Sequence, residues 1–310
     1  MKTLKMAALL VFVLLVSCAK SPDINNETML DGDQIFDMSL INPEDFLISA
    51  RYPNPSEVLK NTPVVIAAHG FSASTFEWQE FSEFAETKGT FLVSQVLLGG
   101  HGRSHEEFKN ATWKDWQSSI IDEYNKLSQL GYKNIYLIGS STGCPLIINM
   151  VKTNALTRAK PKGIYLIDPI VISSNKTLTL VNALGPVLGY TTTNLEAGEE
   201  GHWYVYRPYQ ALIQLMELID LVRKDLQHGI TLPEGTKMKT YKSTVDDAAD
   251  PVSAVLIYQG MKLSDGSKTA VEMVDSKLHV FTRLRGRESV TQADRDLQQH
   301  VFGEIAGELK

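Results

Sequence analysis

Cysteine is almost absent: the 310 residues contain two, Cys18 and Cys144. With Cys18 in a leader region, one thiol remains for the folded part, which excludes an internal disulfide and leaves stability to the core. An excess of basic charge is missing too. The formal net charge is −6, and the lysines and arginines are scattered without a basic block. That excludes the electrostatic footprint of a nucleic-acid binder. There is no internal repeat and no low-complexity segment. Gly99, Gly100 and Gly102 are not followed by G-K-[ST], so a P-loop is excluded. Long apolar runs are confined to Met6–Val16, well short of the roughly 20 residues that span a bilayer.

That one run sits behind Lys2 and Lys5 and ends in Leu15-Val16-Ser17-Cys18. A basic start followed by a short apolar stretch is the pattern of a signal peptide, and its end resembles the bacterial lipobox, in which the cysteine is lipidated. The resemblance implies a signal peptide over 1–17, a lipid on Cys18 and a polar tether over 18–40. It also implies a place in the bacterial cell envelope, anchored to the membrane and facing the periplasm or the exterior. The remaining stretch, 41–310, suits one sizeable domain.

Within it, short apolar segments alternate with amphipathic ones. "DFLISARY", "TPVVIAAHG", "TFLVSQV", "NIYLIG", "KGIYLID", "MKTYKS" and "AVEMVD" read as strands. Nearly continuous apolar runs such as Val64 to Ala68 fit strands buried on both faces of a parallel sheet. Ser74 and Glu77 have capping-box spacing ahead of the helix "TFEWQEFSEFAETKG". Trp113, Trp116, Ile120, Tyr124 and Leu127 mark one face of a helix, and Leu297, Val301, Ile305 and Leu309 mark another. The alternation predicts an α/β fold with a mostly parallel, doubly wound sheet. About 171–235 no clear strand appears. The segment holds one strongly apolar helix, Gln210 to Leu226, and reads as a small, mainly helical cap.

One strand runs directly into Gly139-Ser140-Ser141-Thr142-Gly143, and a helical pattern follows. Strand, G-x-S-x-G and helix together are the context of a nucleophile elbow, with Ser141 at its tip. The Thr142 N–H at the start of the helix is one expected oxyanion donor, and the Phe71 N–H after "VVIAAHG" is the second. Cys144 reads as helix packing. His202, His228, His279 and His300 follow the serine. His279 lies between the last strand and the final helix, where a loop can hang an imidazole over Ser141, whereas His300 sits in a helical repeat and His202 and His228 in the insertion. For the acid, "STVDDAADPVSA" offers Asp246 first, Asp247 as close second, and Asp250 with a structural use beside Pro251. Asp168, after "GIYLI", is a further rival.

The pieces "HGFSAS", "LLGGHGRSHEEFKNATWKDW", "GSSTGC", "STVDDAADPVSA" and "SKLHVFT" resemble the α/β-hydrolase superfamily from Pro63 to Leu309. The similarity is to bacterial carboxylesterases and monoacylglycerol lipases with a small cap. It implies a serine hydrolase of short- to medium-chain acyl esters or monoglycerides, with Ser141, Asp246 and His279 as triad and no cofactor or metal. The family's chain order, serine then acid then histidine, makes His69 a structural residue. Leu212, Leu215, Met216 and Ile219 of the cap helix are expected to form the acyl pocket. Two alternatives stand beside this: an aminopeptidase using Glu196, Glu199 and Glu200 for a substrate ammonium, and a non-catalytic binding lipoprotein on the same fold. His101, His105 and Glu106 have the residue types of a metal site, but Gly102 breaks the helix that would align them.

Overall fold

The computed structural model describes residues 42–176, 178 and 181–310, without the side chains of 181–184. The leader, Cys18 and the tether lie outside the described residues. In chain order the strands are β1 (Val64–Ala68), β2 (Leu92–Val96), β3 (Ile135–Ser140), β4 (Gly163–Ile167), β5 (Tyr190–Thr192), β6 (Tyr206–Pro208), β7 (Ile230–Thr231), β8 (Lys237–Ser243), β9 (Met261–Lys262) and β10 (Ala270–Val274). The helices are α1 (Ile48–Arg51), α2 (Glu57–Asn61), α3 (Gln79–Lys88), α4 (His105–Asn110), α5 (Trp113–Leu130), α6 (Gly143–Lys152), α7 (Val181–Leu188), α8 (Tyr209–His228), α9 (Val252–Gly260) and α10 (Gln292–Glu308).

Six strands form one parallel sheet in the order β10-β8-β4-β3-β1-β2. The chain builds outward from β1 to β2, then returns and builds the other way from β3. The switch point therefore lies between β1 and β3, where an open α/β sheet leaves a crevice beyond its carboxyl ends. Ala68 pairs with Gly139, and Ser140 with Ile167. The ends of three adjacent strands are thus level, and the residues that follow them emerge side by side.

Every residue of β1, β3 and β4 is buried, as their apolar runs require. Alternation divides them between two cores. Val64, Ile66 and Leu137 pack with Trp116, Ile120, Tyr124 and Leu127 of α5 on one face. Val65, Ala67 and Ile138 pack with Phe81 of α3 and Val301, Phe302 and Ile305 of α10 on the other. Both helix faces expected from spacing are realised, with Trp113, Leu297 and Leu309 partly buried at their edges.

Three expectations are corrected. "DFLISARY" is a 3-10 turn, Pro43–Phe46, followed by α1. Its N–H groups find side chains in place of a strand: Ile48 N–H donates to Ser94 Oγ at 3.0 Å and Ser49 N–H to Glu123 Oε1 at 3.1 Å. Ser74 accepts from the Phe76 N–H, but Glu77 closes no capping box; its carboxylate is buried against the Gly70 N–H and the Ser140 hydroxyl. The insertion does contain strands, since β5 and β6 pair antiparallel. Its long helix α8 belongs with the main core, where Leu218, Ile219, Val222 and Leu226 share the cluster containing Ile147 and Met150 of α6.

Glu123 on α5 is 1% exposed and accepts from the Ser49 N–H and hydroxyl and from the Ser94 hydroxyl (2.6 Å). Burial raises its pKa, and these hydrogen bonds only partly offset that. With the folded pKa above the unfolded one, the stability it contributes is complete below about pH 4.3 and declines as pH rises through the folded value. Glu123→Gln keeps an acceptor for Ser49 N–H and Ser94 and gains a donor toward Ser49 Oγ. It is expected to raise the thermal unfolding midpoint at pH 7, a gain that shrinks as the pH is lowered toward about 4.

Candidate active site

Ser141 follows β3 at once, with φ of 46° in the left-handed region. Its N–H donates to Ile167 O at 3.0 Å and its carbonyl accepts from Cys144 N–H at 3.2 Å, so the turn is fixed on both sides. The flanking glycines answer to sterics: a Cβ on Gly139 would lie 2.8 Å from the Gly143 carbonyl carbon, and one on Gly143 would lie 2.4 Å from Ala68 O. Cys144 is fully buried with Sγ against Gly139 O and Ile167 O, and burial pushes its thiol pKa up. It is packing, as its position in α6 suggests.

The structure brings the candidate base and the candidate acid together. His279 Nδ1 lies 2.8 Å from Asp246 Oδ2. Asp246 is 5% exposed, and its Oδ1 accepts from the N–H groups of Ala248 (2.8 Å) and Ala249 (2.9 Å). Burial alone would raise its pKa, but the hydrogen bond and charge of His279, the Ala249 N–H and Lys242 together hold it well below the carboxylate range. Asp247 is exposed and lies at the cavity wall. Asp250 accepts from the Val252 N–H at 2.9 Å ahead of α9. The structure therefore separates the aspartates that residue type alone left in competition.

The other histidines have different settings. His69 Nδ1 lies 2.8 Å from Gly70 O, while its Nε2 accepts from the Leu98 N–H at 3.1 Å. That pattern puts the proton on Nδ1 and makes the ring a brace between the loops after β1 and β2. His101 is fully buried among Phe71, Phe108 and Trp116, and burial holds its pKa well down. His202 stacks on Phe76 at 3.8 Å, His228 Nδ1 contacts Lys224 O, and His300 is exposed.

Among the described residues, five that are not glycine have positive φ: Ser72, Ser141, Asn154, Asp168 and Val280. Ser141 and Val280 line one cavity, and Ser72 adjoins its Phe71 wall. Val280 is β-branched, for which φ of 53° is a genuine outlier; it sits next to His279. Strain of this kind concentrates where side chains must be held in one place.

The cavity has a volume of about 670 Å³ and is lined by Ser141 and His279, by Phe71 and Thr142, and on its apolar side by Leu178, Leu188, Trp203, Leu212 and Leu215. Of the four expected pocket residues on α8, Leu212 and Leu215 line it. Ile219 is turned into the main core and Met216 packs against that core. Two of the three acidic cap residues are engaged within the protein. Glu199 pairs with Arg283 at 2.6 Å, Glu196 accepts from the Glu288 N–H, and Glu200 is exposed. Three charged groups near the site were not foreseen in these roles: Glu77, Lys242 and Asp168. A lysine inside a buried strand four residues before an aspartate was the one available signal.

No family model matches the chain. It is 30% identical over 94 residues, 30% of its length, to a thermostable monoacylglycerol lipase of Bacillus sp. (strain H-257). It is 26% identical over 91 residues, 29% of its length, to a carboxylesterase of Bacillus subtilis (strain 168). Each match spans 37% of the relative's own length. A soluble variant of monoglyceride lipase from Saccharomyces cerevisiae, solved with a substrate analog, aligns with a TM-score of 0.67 at 12% identity, covering 83% of this chain and 88% of that one. Parallel sheet, elbow and structural likeness agree: the chain has the α/β-hydrolase fold that lipases and esterases share.

Proposed function

We propose that this protein is a serine hydrolase that cleaves carboxylic esters through an acyl-enzyme on Ser141. The observation that carries the proposal is Ser141, at φ 46°, sharing one cavity with a His279 imidazole whose Nδ1 is 2.8 Å from the buried Asp246 carboxylate. In this reading Asp246 keeps the His279 proton on Nδ1, and Nε2 takes the proton of Ser141 as its Oγ attacks the ester carbonyl. The N–H of Gly70 is already given to Glu77 and that of Ser141 to Ile167. Phe71 and Thr142 then supply the N–H groups that stabilise the tetrahedral oxyanion. His279 returns the proton to the leaving alcohol, and water repeats the cycle on the acyl-enzyme.

The relatives' names favour carboxylic esters or monoglycerides, and the apolar cavity wall is the ground for expecting acyl chains of short to medium length. A volume near 670 Å³ falls in the range of small-molecule sites. The engagement of Glu196 and Glu199 within the protein favours esters over an aminopeptidase substrate. Hydrolysis of p-nitrophenyl esters from acetate to palmitate tests this. We expect kcat/KM to rise by up to about fourfold per methylene, pass through an optimum once the cavity is filled, and vanish in Ser141→Ala. Turnover of aminoacyl anilides with no ester preference, or silence of a folded protein on every ester, would sink the ester reading.

A further inference from the structure

Behind the His279–Asp246 pair lies a lysine with no access to water. Lys242, in β8, is 0% exposed, and its ammonium contacts both Asp168 Oδ1 at 3.1 Å and Asp246 Oδ2. Lysine is almost never buried so completely unless it is paired, and here it is paired twice. Asp168, also 0% exposed, follows β4 with φ of 46°. Its carboxylate accepts from Ser243 N–H (2.7 Å) and the Phe281 N–H (3.3 Å), and lies 3.2 Å from Ser243 Oγ. Ser243 Oγ in turn reaches the Leu278 carbonyl at 2.9 Å. The segment carrying His279 is therefore held at Leu278 by Ser243, which touches Asp168, and at Phe281 by Asp168 itself. Single atoms of Asp168, Asp246 and His279 all lie within 4.8 Å of one another.

We infer that Lys242 and Asp168 are positioning residues for the acid–base pair: they fix Asp246 and the His279 loop to one frame and hold the buried charge behind the imidazole at minus one. Two carboxylates and one ammonium give that value, and a protonated His279 brings the group to neutrality. Without Lys242 two negative charges would face the ring. Without Asp168 none would remain uncompensated. The inference rests on the hydrolase reading for its purpose, though not for its test.

Other charged groups approach from neighbouring elements. Arg287 donates to the His279 carbonyl, Asp247 sits at the cavity wall, and Glu77 and Arg283 line the same cavity. The Cys144 thiol on α6 feels both Asp168 and Lys242 but is held protonated by burial. These groups stay the same across the variants below, so differences between variants report the Lys242–Asp168 charges.

The test is a titration of the His279 ring by NMR on histidine-labelled full-length protein, with His279→Asn to assign the signal. No substrate is involved, so the result stands whatever the esters do. Asp168→Asn keeps a residue that tolerates positive φ and removes one negative charge. Lys242→Gln keeps a donor for both carboxylates and removes the positive one. We expect the His279 midpoint to fall by about half a unit to one unit in Asp168→Asn and to rise by a similar amount in Lys242→Gln. In the active enzyme the acid limb of kcat/KM should move in the same directions. Either variant, if only one folds, reads its own sign. Unmoved midpoints with only a lower Tm would reduce the pair to packing, and a shift of the opposite sign would overturn the inference outright.

Discussion

Asp246→Asn is expected to lower kcat on an activated ester by about 10⁴-fold, while Asp247→Asn changes it by no more than roughly threefold. The large effect follows from the bonds around the carboxylate. Ala248 and Ala249 N–H groups both point at Oδ1 and need an acceptor there. An asparagine would therefore keep its carbonyl oxygen on them and turn its NH₂ toward His279 Nδ1 and the Lys242 ammonium. Facing a donor, the imidazole is driven to the tautomer with its proton on Nε2, where it cannot accept the proton of Ser141. The pH dependence should follow the same logic. Asp246 is depressed in the fold by His279, Ala249 and Lys242 against the opposing effect of burial. It therefore stays ionised across the working range, and its stabilising contribution is present above the unfolded aspartate pKa of about 3.9 and lost as pH falls through the folded value. Steady-state kinetics of both asparagine variants, with Tm recorded beside them, check the contrast.

Gly143→Ala should be the most damaging single methyl in the protein's active-site turn. Its Cβ would stand 2.4 Å from Ala68 O, 3.0 Å from Ala68 C and 3.1 Å from His69 O. All three are backbone atoms of β1 or of the loop that carries Phe71, so no side chain can rotate away. Relief would have to come from prising α6 off the sheet edge, and overpacking without an escape costs about 3 kcal/mol or more. We expect soluble yield to collapse, or the denaturation midpoint to fall far enough to show that loss. Gly303→Ala on α10 is the matched control. A Cβ there meets nothing within 4 Å, and replacing a helical glycine should stabilise by up to about 1 kcal/mol.

Much of this geometry can be read from the chain because it is local. A strand buried on both faces must be apolar throughout, so β1, β3 and β4 stand out. Ser141 is legible because the elbow needs glycines two positions before and two positions after the serine. His279 is legible because it falls between the last strand and the final helix. The limits come from contacts that join distant positions. "DFLISARY" has the composition of a strand, yet Ser94 and Glu123, 46 and 74 residues away, claim its N–H groups. Glu77 has capping-box spacing, but Gly70 and Ser140 hold its carboxylate. Asp246 and Asp247 differ by one step along a loop, and which of them is buried depends on where Ala248 and Ala249 direct their N–H groups. The Lys242–Asp168 pair spans 74 residues and exists only once β4 and β8 lie side by side.

The central claim is that Ser141 is the nucleophile, and the most direct measurement is covalent. An activated phosphonate ester, which mimics the tetrahedral intermediate, is incubated with the protein and the product is analysed by intact mass and peptide mapping. We predict one adduct per chain, located on Ser141, absent from Ser141→Ala and formed far more slowly by His279→Ala. A folded wild-type protein that takes up no phosphonate, or takes it up on another residue, would contradict the account.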